Sequence, residues 1–315
     1  MKTKAIVFMA TMALLLAACR QLPAVPVAPA ASNLATRKIN VVATTGQVAD
    51  AVRNVGRHRV SVRVLMRPGV DPHLYRPSAG DVDALGDADI IFYNGLELEG
   101  RMTDLFVKMS RAGKPTVLVA EGIPEDLLRE SKELQGRYDP HVWLDVALWK
   151  YAVSNVADAL AELDPSSKDL YQQNSAAYLR QLDELDAYIR AQAATVPESA
   201  RVLITAHDAF GYFGQAYGFE VKGLQGISTA AEASPRDVRD LARFICERGI
   251  KAIFVESSAP RETIEAVQAA AKAAGCAVGI GAELFSDAMG NEGTPEGAYI
   301  GMLRYNIDAI VNALR

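Results

Sequence analysis

The sequence predicts an α/β protein with two βα lobes, each built on a parallel four-stranded sheet, joined by one long rigid helix. Two observations support this class. Short, apolar, β-rich runs alternate with helical segments in both halves of the chain, which is typical of parallel sheets covered by helices. Between the halves lies a long stretch that contains neither Gly nor Pro. A length of 315 residues is also sufficient for two domains.

We expect the first lobe to span residues 38–163, the linking helix residues 164–197 and the second lobe residues 198–315. The predicted strands of the first lobe are Ile39–Thr44, Val60–Met66, Asp89–Tyr93 and Thr116–Val119. Thr45-Gly46-Gln47 and a predicted helix through Val55 follow the first strand, and further helices are predicted near Ser78–Leu85 and near Leu98–Ser110.

The linking helix is predicted from Asp164 to about Val196. The Asp164 side chain can cap the free N–H groups of the first turn, and Pro165 suits the first helical position. At 1.5 Å per residue, such a helix is about 45 Å long. Its apolar residues recur at helical spacing with polar residues between them, so one face packs. A packing helix within one domain is the alternative, but βα patterns on both sides favour a bridge.

The second lobe repeats the pattern of the first. Its predicted strands are Arg201–Thr205, Phe219–Gly223, Lys251–Glu256 and Cys276–Ile280. Its predicted helices are Pro235–Arg248 and Pro260–Ala274. Ligands of open parallel sheets bind at the carboxyl ends of the strands, so two facing lobes predict a site in the cleft between them.

The N-terminus has the pattern of a secretion signal. Residues 1–18 combine a basic start with an apolar stretch too short to span a bilayer. The stretch ends in Leu16-Ala-Ala-Cys19, which resembles the bacterial lipobox, in which the cysteine is lipidated. The alternative is a chance cysteine after a plain signal peptide. Residues 19–37 are rich in Pro and Ala and are typical of a flexible tether. We therefore expect a globular protein anchored by lipid on Cys19 to a bacterial membrane, facing the periplasm or the exterior.

Cys246 and Cys276 are the other two cysteines. An exported protein can form a disulfide between them, although both also fit small buried apolar positions. The net charge is −5 and no basic run follows residue 40, which argues against nucleic acid as a partner. No second stretch has the length and hydrophobicity of a transmembrane helix.

Three of the four histidines lie in loops or directly after strands. His73 and His141 each end an Asp-Pro-His triplet, and His207 follows the first strand of the second lobe. Proline fixes φ and so delivers the imidazole at a set angle, as a metal ligand requires. A single histidine in such a position is more often a loop or capping residue than a metal ligand. Three of them together favour a metal site. His58 lies in a basic turn and is expected to be solvated.

A divalent ion needs a further donor, preferably with negative charge. Asp287 follows the last strand in a loop rich in small residues. Glu283 and Glu256 are alternatives, and both also fit ordinary capping or ion-pairing roles. Three histidines and one aspartate suit a tetrahedral site, or one expanded by a bidentate carboxylate.

Six motifs extend this pattern over most of the chain: GVDPHLYRPSAGD, DPHVWLDV, TAHDAFGYF, GLQGISTAAEASPRD, FVESS and GAELFSDAMG. From about Ile39 to Leu314, the chain resembles the metal-binding lipoproteins of the TroA/PsaA/ZnuA family, and especially its TroA-like members. The resemblance implies that His73, His141, His207 and Asp287 hold one zinc or manganese ion between the lobes. It also implies that the protein is not an enzyme and delivers the ion to an ABC permease and its ATPase. We expect it to be a monomer.

The sequence does not decide between zinc and manganese. Many manganese-dedicated relatives have Glu where this chain has His207, whereas zinc-dedicated relatives often have a His-rich loop that is absent from Glu121–Arg137. The main alternative is a secreted zinc hydrolase with Asp287 or Glu256 as general base. However, the sequence contains no HExxH motif and no nucleophile elbow. A surface adhesin role is a secondary alternative that no residue specifies.

Overall fold

A parallel four-stranded sheet forms the centre of the first lobe. The computed structural model describes residues 34–131 and 136–315. The strand order is β2-β1-β3-β4, and every neighbouring pair is parallel. Its strands are β1 (Ile39–Ala43), β2 (Val60–Val64), β3 (Ile90–Tyr93) and β4 (Thr116–Leu118). The predicted first sheet is confirmed, with each strand within a few residues of its expected bounds.

Helices cover this sheet, and local capping explains where two of them begin. Thr45 accepts a hydrogen bond from the backbone N–H of Val48 at the start of α1, and Ser78 forms a capping box with Asp81 at the start of α2. The helices of the first lobe are α1 (Gly46–Gly56), α2 (Ala79–Asp87), α3 (Thr103–Arg111) and α4 (Val146–Leu163). A short antiparallel pair, β5 (Glu130–Ser131) and β6 (Arg137–Tyr138), precedes α4.

The predicted linking helix is α5 (Lys168–Ala193), preceded by a 3₁₀ turn at Pro165–Ser167. The expected side-chain cap by Asp164 is wrong, because this carboxylate makes no capping hydrogen bond. It accepts instead from Nε and Nη2 of Arg59 and from the hydroxyl of Tyr171. A charged partner outcompetes the backbone N–H groups, since hydrogen bonds between ions are stronger than those to neutral groups.

Helix α5 is bound along its length to both lobes. Near its middle, the Tyr178 hydroxyl donates to Oδ2 of Asp50 on α1, at 2.6 Å. Near its end, the Tyr188 hydroxyl donates to Oδ1 of Asp308, at 2.7 Å, on the C-terminal helix of the chain. The helix is therefore a packed spine rather than a free tether.

The second sheet consists of two parallel pairs of strands. The strands are β7 (Val202–His207), β8 (Glu220–Gln225), β9 (Ala252–Ile253) and β10 (Gly279–Ile280). β7 pairs with β8, and β9 pairs with β10. The backbone N–H of Phe254 donates to the carbonyl of Ile204 at 2.8 Å and so connects β7 to the strand segment that contains β9. The last two strands are shorter than predicted, but their order and direction agree with the predicted sheet.

The helices of the second lobe are α6 (Gly211–Tyr217), α7 (Pro235–Arg248), α8 (Arg261–Ala273) and α9 (Tyr299–Leu314). Helices α7 and α8 were predicted from the sequence, whereas α4, α6 and α9 were not. A signal for α4 was present, since Asp145 precedes an 18-residue segment without Gly or Pro and accepts from the N–H groups of Ala147 and Leu148.

Cys246 and Cys276 form a disulfide, with their Cα atoms 5.6 Å apart. Both half-buried residues pack against an apolar cluster between α7, α8 and the second sheet. Of the two alternatives that the sequence left open, the structure has the bridge.

Several predictions are not decided by the fold. The signal peptide, Cys19 and nearly all of the tether lie outside the described residues. Arg37–Arg315 forms one compact unit, so the lobe boundaries remain predictions. In the described ranges, no helix is both long and apolar enough to cross a membrane.

Candidate metal centre

His73 lies in the loop that follows β2. The carboxylate of Asp71, the first residue of the same Asp-Pro-His triplet, accepts from the backbone N–H of His73 at 2.8 Å. This contact closes a tight turn and directs the imidazole toward the second lobe, where its Nε2 lies 3.5 Å from Oδ2 of Asp287.

His141 lies before α4, in the second Asp-Pro-His triplet. Asp139 accepts from the backbone N–H of His141 at 3.0 Å, and the same oxygen lies 2.8 Å from Nδ1 of its ring. The other oxygen of Asp139 accepts from Nη1 of Arg129 at 2.8 Å. A carboxylate on Nδ1 fixes the tautomer and leaves Nε2 as the ligand atom, an arrangement typical of metal-binding histidines.

His207 ends β7 at the carboxyl edge of the second sheet. Glu256 follows β9, and its Oε1 accepts from the backbone N–H of His207 at 2.8 Å. Its other oxygen lies 2.7 Å from Nδ1 of His207. The ring therefore also has a carboxylate behind it and presents Nε2 to the cleft.

Asp287 lies in the loop after β10, and this loop is held by the first lobe. Nε2 of Gln47 donates to the Asp287 carbonyl at 3.1 Å, and Nε1 of Trp143 donates to the Ser286 carbonyl at 2.9 Å. These contacts fix the backbone on both sides of the carboxylate.

The four side chains converge on one point. Nε2 of His73 and Nε2 of His141 are 3.3 Å apart, Nε2 of His141 lies 3.3 Å from Oδ1 of Asp287, and Nε2 of His207 lies 3.2 Å from Oδ2 of Asp287. A tetrahedral zinc site with bonds of about 2.0–2.1 Å places its donors about 3.3 Å from one another. The observed separations match that spacing.

Several of these atoms have no hydrogen-bond partner among the described residues. They are Nε2 of His207 and both carboxylate oxygens of Asp287, although these atoms lie close to the other donor atoms of the cluster. His207 is fully buried and Asp287 is 2% exposed. Buried polar atoms are normally paired, so this cluster has the donors for a cation at its centre. The four residues therefore fit a divalent metal.

The charges of the cluster shift its pKa values in opposite directions. Burial opposes the charged forms, but Glu256 and Asp287 outweigh it and raise the pKa of His207. The two histidines His207 and His141 likewise lower the pKa of the Asp287 carboxyl despite its burial. Burial lowers the pKa of His73. Without metal, these shifts favour the protonated form of His207 and the neutral form of His73, so a metal must displace the proton of His207.

The structure brings together all four predicted ligands and separates them from the alternatives. His58 is exposed, as expected, and Glu283 is exposed on the strand side of the loop. Glu256 is buried at the site but lies behind His207, rather than among the four side chains of the cluster.

Three supporting residues were missed from the sequence: Asp139, Arg129 and Gln47. For Asp139 a signal existed, because it begins the triplet that ends in His141. For Arg129 and Gln47 no sequence signal was available, since both act through contacts between distant segments.

Residues 41–313 match the family described as zinc-uptake complex component A, periplasmic. The chain belongs to this family. Its description names a component of an uptake system, and this family is not one of enzymes. The fold and the cluster of histidines and aspartate thus occur in a family whose members bind metal outside the cytoplasm.

Individual members of the zinc-uptake family are close in sequence and in structure. The zinc-binding protein TroA of Treponema pallidum is 53% identical over 274 residues, which are 87% of this chain and 88% of TroA. The manganese-binding lipoprotein MntA of Bacillus subtilis is 46% identical over 285 residues, 90% of this chain and 92% of MntA. The solved structure of periplasmic TroA superposes with a TM-score of 0.86, covering 88% of this chain and 99% of the other.

Proposed function

We propose that this protein captures a divalent transition metal, zinc or manganese, outside the cytoplasm and delivers it to an ABC permease and its ATPase. His73, His141, His207 and Asp287 are the proposed ligands. The observation that carries the proposal is the convergence of three imidazole nitrogens and one carboxylate at tetrahedral spacing.

The donor set supports a carrier rather than a hydrolase. A catalytic zinc has three protein ligands and an open position for water, whereas four protein donors surround a transported ion. Asp287 and Glu256, the candidate general bases of a hydrolase, are both occupied here. Asp287 belongs to the donor cluster, and Glu256 pairs with the backbone and ring of His207.

Metal analysis of the purified protein tests this function. We expect one ion per chain, and His141→Ala should weaken zinc binding at least about 100-fold because it removes one of the four ligands. His58→Ala is the matched control, since this histidine is exposed and should leave binding unchanged. Wild-type protein that binds no ion, or equal effects of the two substitutions, would contradict the proposal.

We also propose that lipid on Cys19 anchors the protein as a monomer to a bacterial membrane. The lipobox-like Leu16-Ala-Ala-Cys19 supports this proposal, and curated relatives are named lipoproteins. Cys19→Ser should release the protein from membranes and abolish labelling with radioactive palmitate, because stable anchoring requires the acyl chains. Membrane retention without labelling would exclude the anchor.

A further inference from the structure

The two Asp-Pro-His triplets fold alike at the backbone but use their aspartates differently. In both, the aspartate accepts from the N–H group of the histidine two residues later. Asp139 also contacts the ring of its histidine, His141. Asp71 does not. Its second oxygen instead accepts from the hydroxyl of Thr229 at 2.6 Å.

Thr229 belongs to the second lobe, in the loop between β8 and α7. Two hollows flank this loop, one of about 360 Å³ lined by Asp71, Leu74 and Thr229, and one of about 670 Å³ on its other side. Space on both sides allows the loop to move without displacing packed side chains. The Thr229–Asp71 hydrogen bond therefore joins a loop with room to move to the turn that holds His73.

His73 is the least firmly held of the four ligands. His141 and His207 each have a carboxylate next to Nδ1, and the backbone of Asp287 is held by Gln47. Within the described part of the chain, the ion pair and hydrogen bond of the His73 ring are made through Nε2, and Nδ1 has neither. It is also the most exposed ligand, at 7%, while His141 and His207 are fully buried.

We propose that the Thr229–Asp71 hydrogen bond is a latch across the cleft that sets how fast the metal leaves through His73. The inference rests on the proposed metal-carrying function. Both residues are positioning residues, because they act on the metal through His73 and do not contact it. Since one carboxylate holds both the loop of the second lobe and the turn of His73, breaking the latch loosens both together.

The latch acts on release more than on capture. It joins the two lobes beside the site, so its loss should destabilise the state in which ligands of both lobes hold the metal. Differences of this kind between variants of one binding site are found mainly in dissociation rates.

Stopped-flow release of zinc into excess chelator measures this rate. Thr229→Val has nearly the same shape but lacks the hydroxyl, and we expect release about tenfold faster, equivalent to about 1.4 kcal/mol. The association rate should change by no more than about twofold. Thr229→Ser retains the hydroxyl and should release zinc close to the wild-type rate.

Thr263→Val is the matched control. Thr263 lines the same hollow, but its hydroxyl donates to Pro260 at the start of its own helix and not across the cleft. It should release zinc at the wild-type rate. Thr229→Ala provides a second variant without the hydroxyl.

The results distinguish a failure of the latch proposal from a failure of the proposed function. If Thr229→Val and Thr229→Ala bind one zinc per chain and release it at the wild-type rate, the latch is wrong and the carrier function stands. If Thr263→Val accelerates release equally, the effect belongs to the hollow and the latch is again wrong. If the wild type binds no zinc, the proposed function itself fails.

Discussion

Glu256 shows how one residue behind a ligand can tune the site. It holds both the backbone and the ring of His207. We expect Glu256→Gln to weaken zinc binding about 10–100-fold, because the amide neither orients nor polarises the imidazole as a carboxylate does. Isothermal titration with zinc measures the loss. Glu283→Gln, on an exposed residue of the segment that carries Asp287, is the control and should bind as the wild type does.

Metal preference is also decided at single residues. Three imidazoles and one carboxylate present more nitrogen than manganese prefers, and affinity rises from manganese toward zinc. We expect zinc to bind more tightly, and His207→Glu to narrow that preference. Because a second carboxylate would then face Glu256, His207→Glu should be combined with Glu256→Gln. Competition titrations decide, and a wild type that prefers manganese would contradict this prediction.

At the scale of elements, Asp164 ties the entry of the long helix to the first lobe. Burial opposes ionisation, but hydrogen bonds from Ser166 and Arg59 outweigh it and lower the pKa of Asp164 to about 2. A carboxyl whose pKa is lower in the folded state stabilises the protein above its unfolded pKa of about 3.9. That stabilisation is lost as the pH falls through the folded pKa.

We therefore expect Asp164→Asn to lower the free energy of unfolding by about 2 kcal/mol at pH 7. The difference from the wild type should shrink as the pH falls from about 5 toward 2. Urea unfolding of both metal-free proteins across this range measures it. Asp158→Asn, on an exposed residue of α4, should have little effect at any pH. A difference that is independent of pH would contradict the ionic origin.

The disulfide constrains a second set of elements. Cys246 at the end of α7 and Cys276 before β10 are 30 residues apart in sequence. Closing a loop of this length stabilises the fold by about 3–4 kcal/mol in the chain-entropy account. Cys246→Ser, Cys276→Ser and the double variant should each lose about this amount in urea unfolding. Losses in the single variants that add up in the double variant would show that packing, rather than the bridge, dominates.

At the scale of the whole molecule, metal binding should stabilise the fold, and the long helix should limit how far the lobes move. Ligands from both lobes clamp the cleft, so zinc at 100 times its dissociation constant should stabilise the fold by about 2.7 kcal/mol. Because α5 is hydrogen-bonded to α1 and α9, closure should be a small tilt. We expect zinc to raise the melting temperature. Solution scattering should show that zinc changes the radius of gyration by less than about 1 Å. A change of several ångströms would contradict the rigid spine.

The fold class, the four side chains of the cluster and the resemblance to the family could be predicted from the sequence alone. These features are local patterns. Apolar runs of strand length alternate with helical periods, and short histidine motifs stand at loops and strand ends. Such patterns can be identified from the sequence because each depends on residues only a few positions apart. Helix α4 was missed although its Asp145 cap was visible, so that omission was one of interpretation.

The contacts between segments that are far apart in the chain became visible only in the three-dimensional structure. Asp164 was predicted as a helix cap from its neighbours, but Arg59, 105 residues away, takes its carboxylate. The roles of Glu256 behind His207, of Gln47 at Asp287 and of Thr229 at Asp71 likewise join residues far apart in sequence. A buried charge takes its strongest partner in space, and sequence distance does not limit that choice. The sequence therefore specifies which polar and charged groups are available, and tertiary packing determines which of them pair with one another.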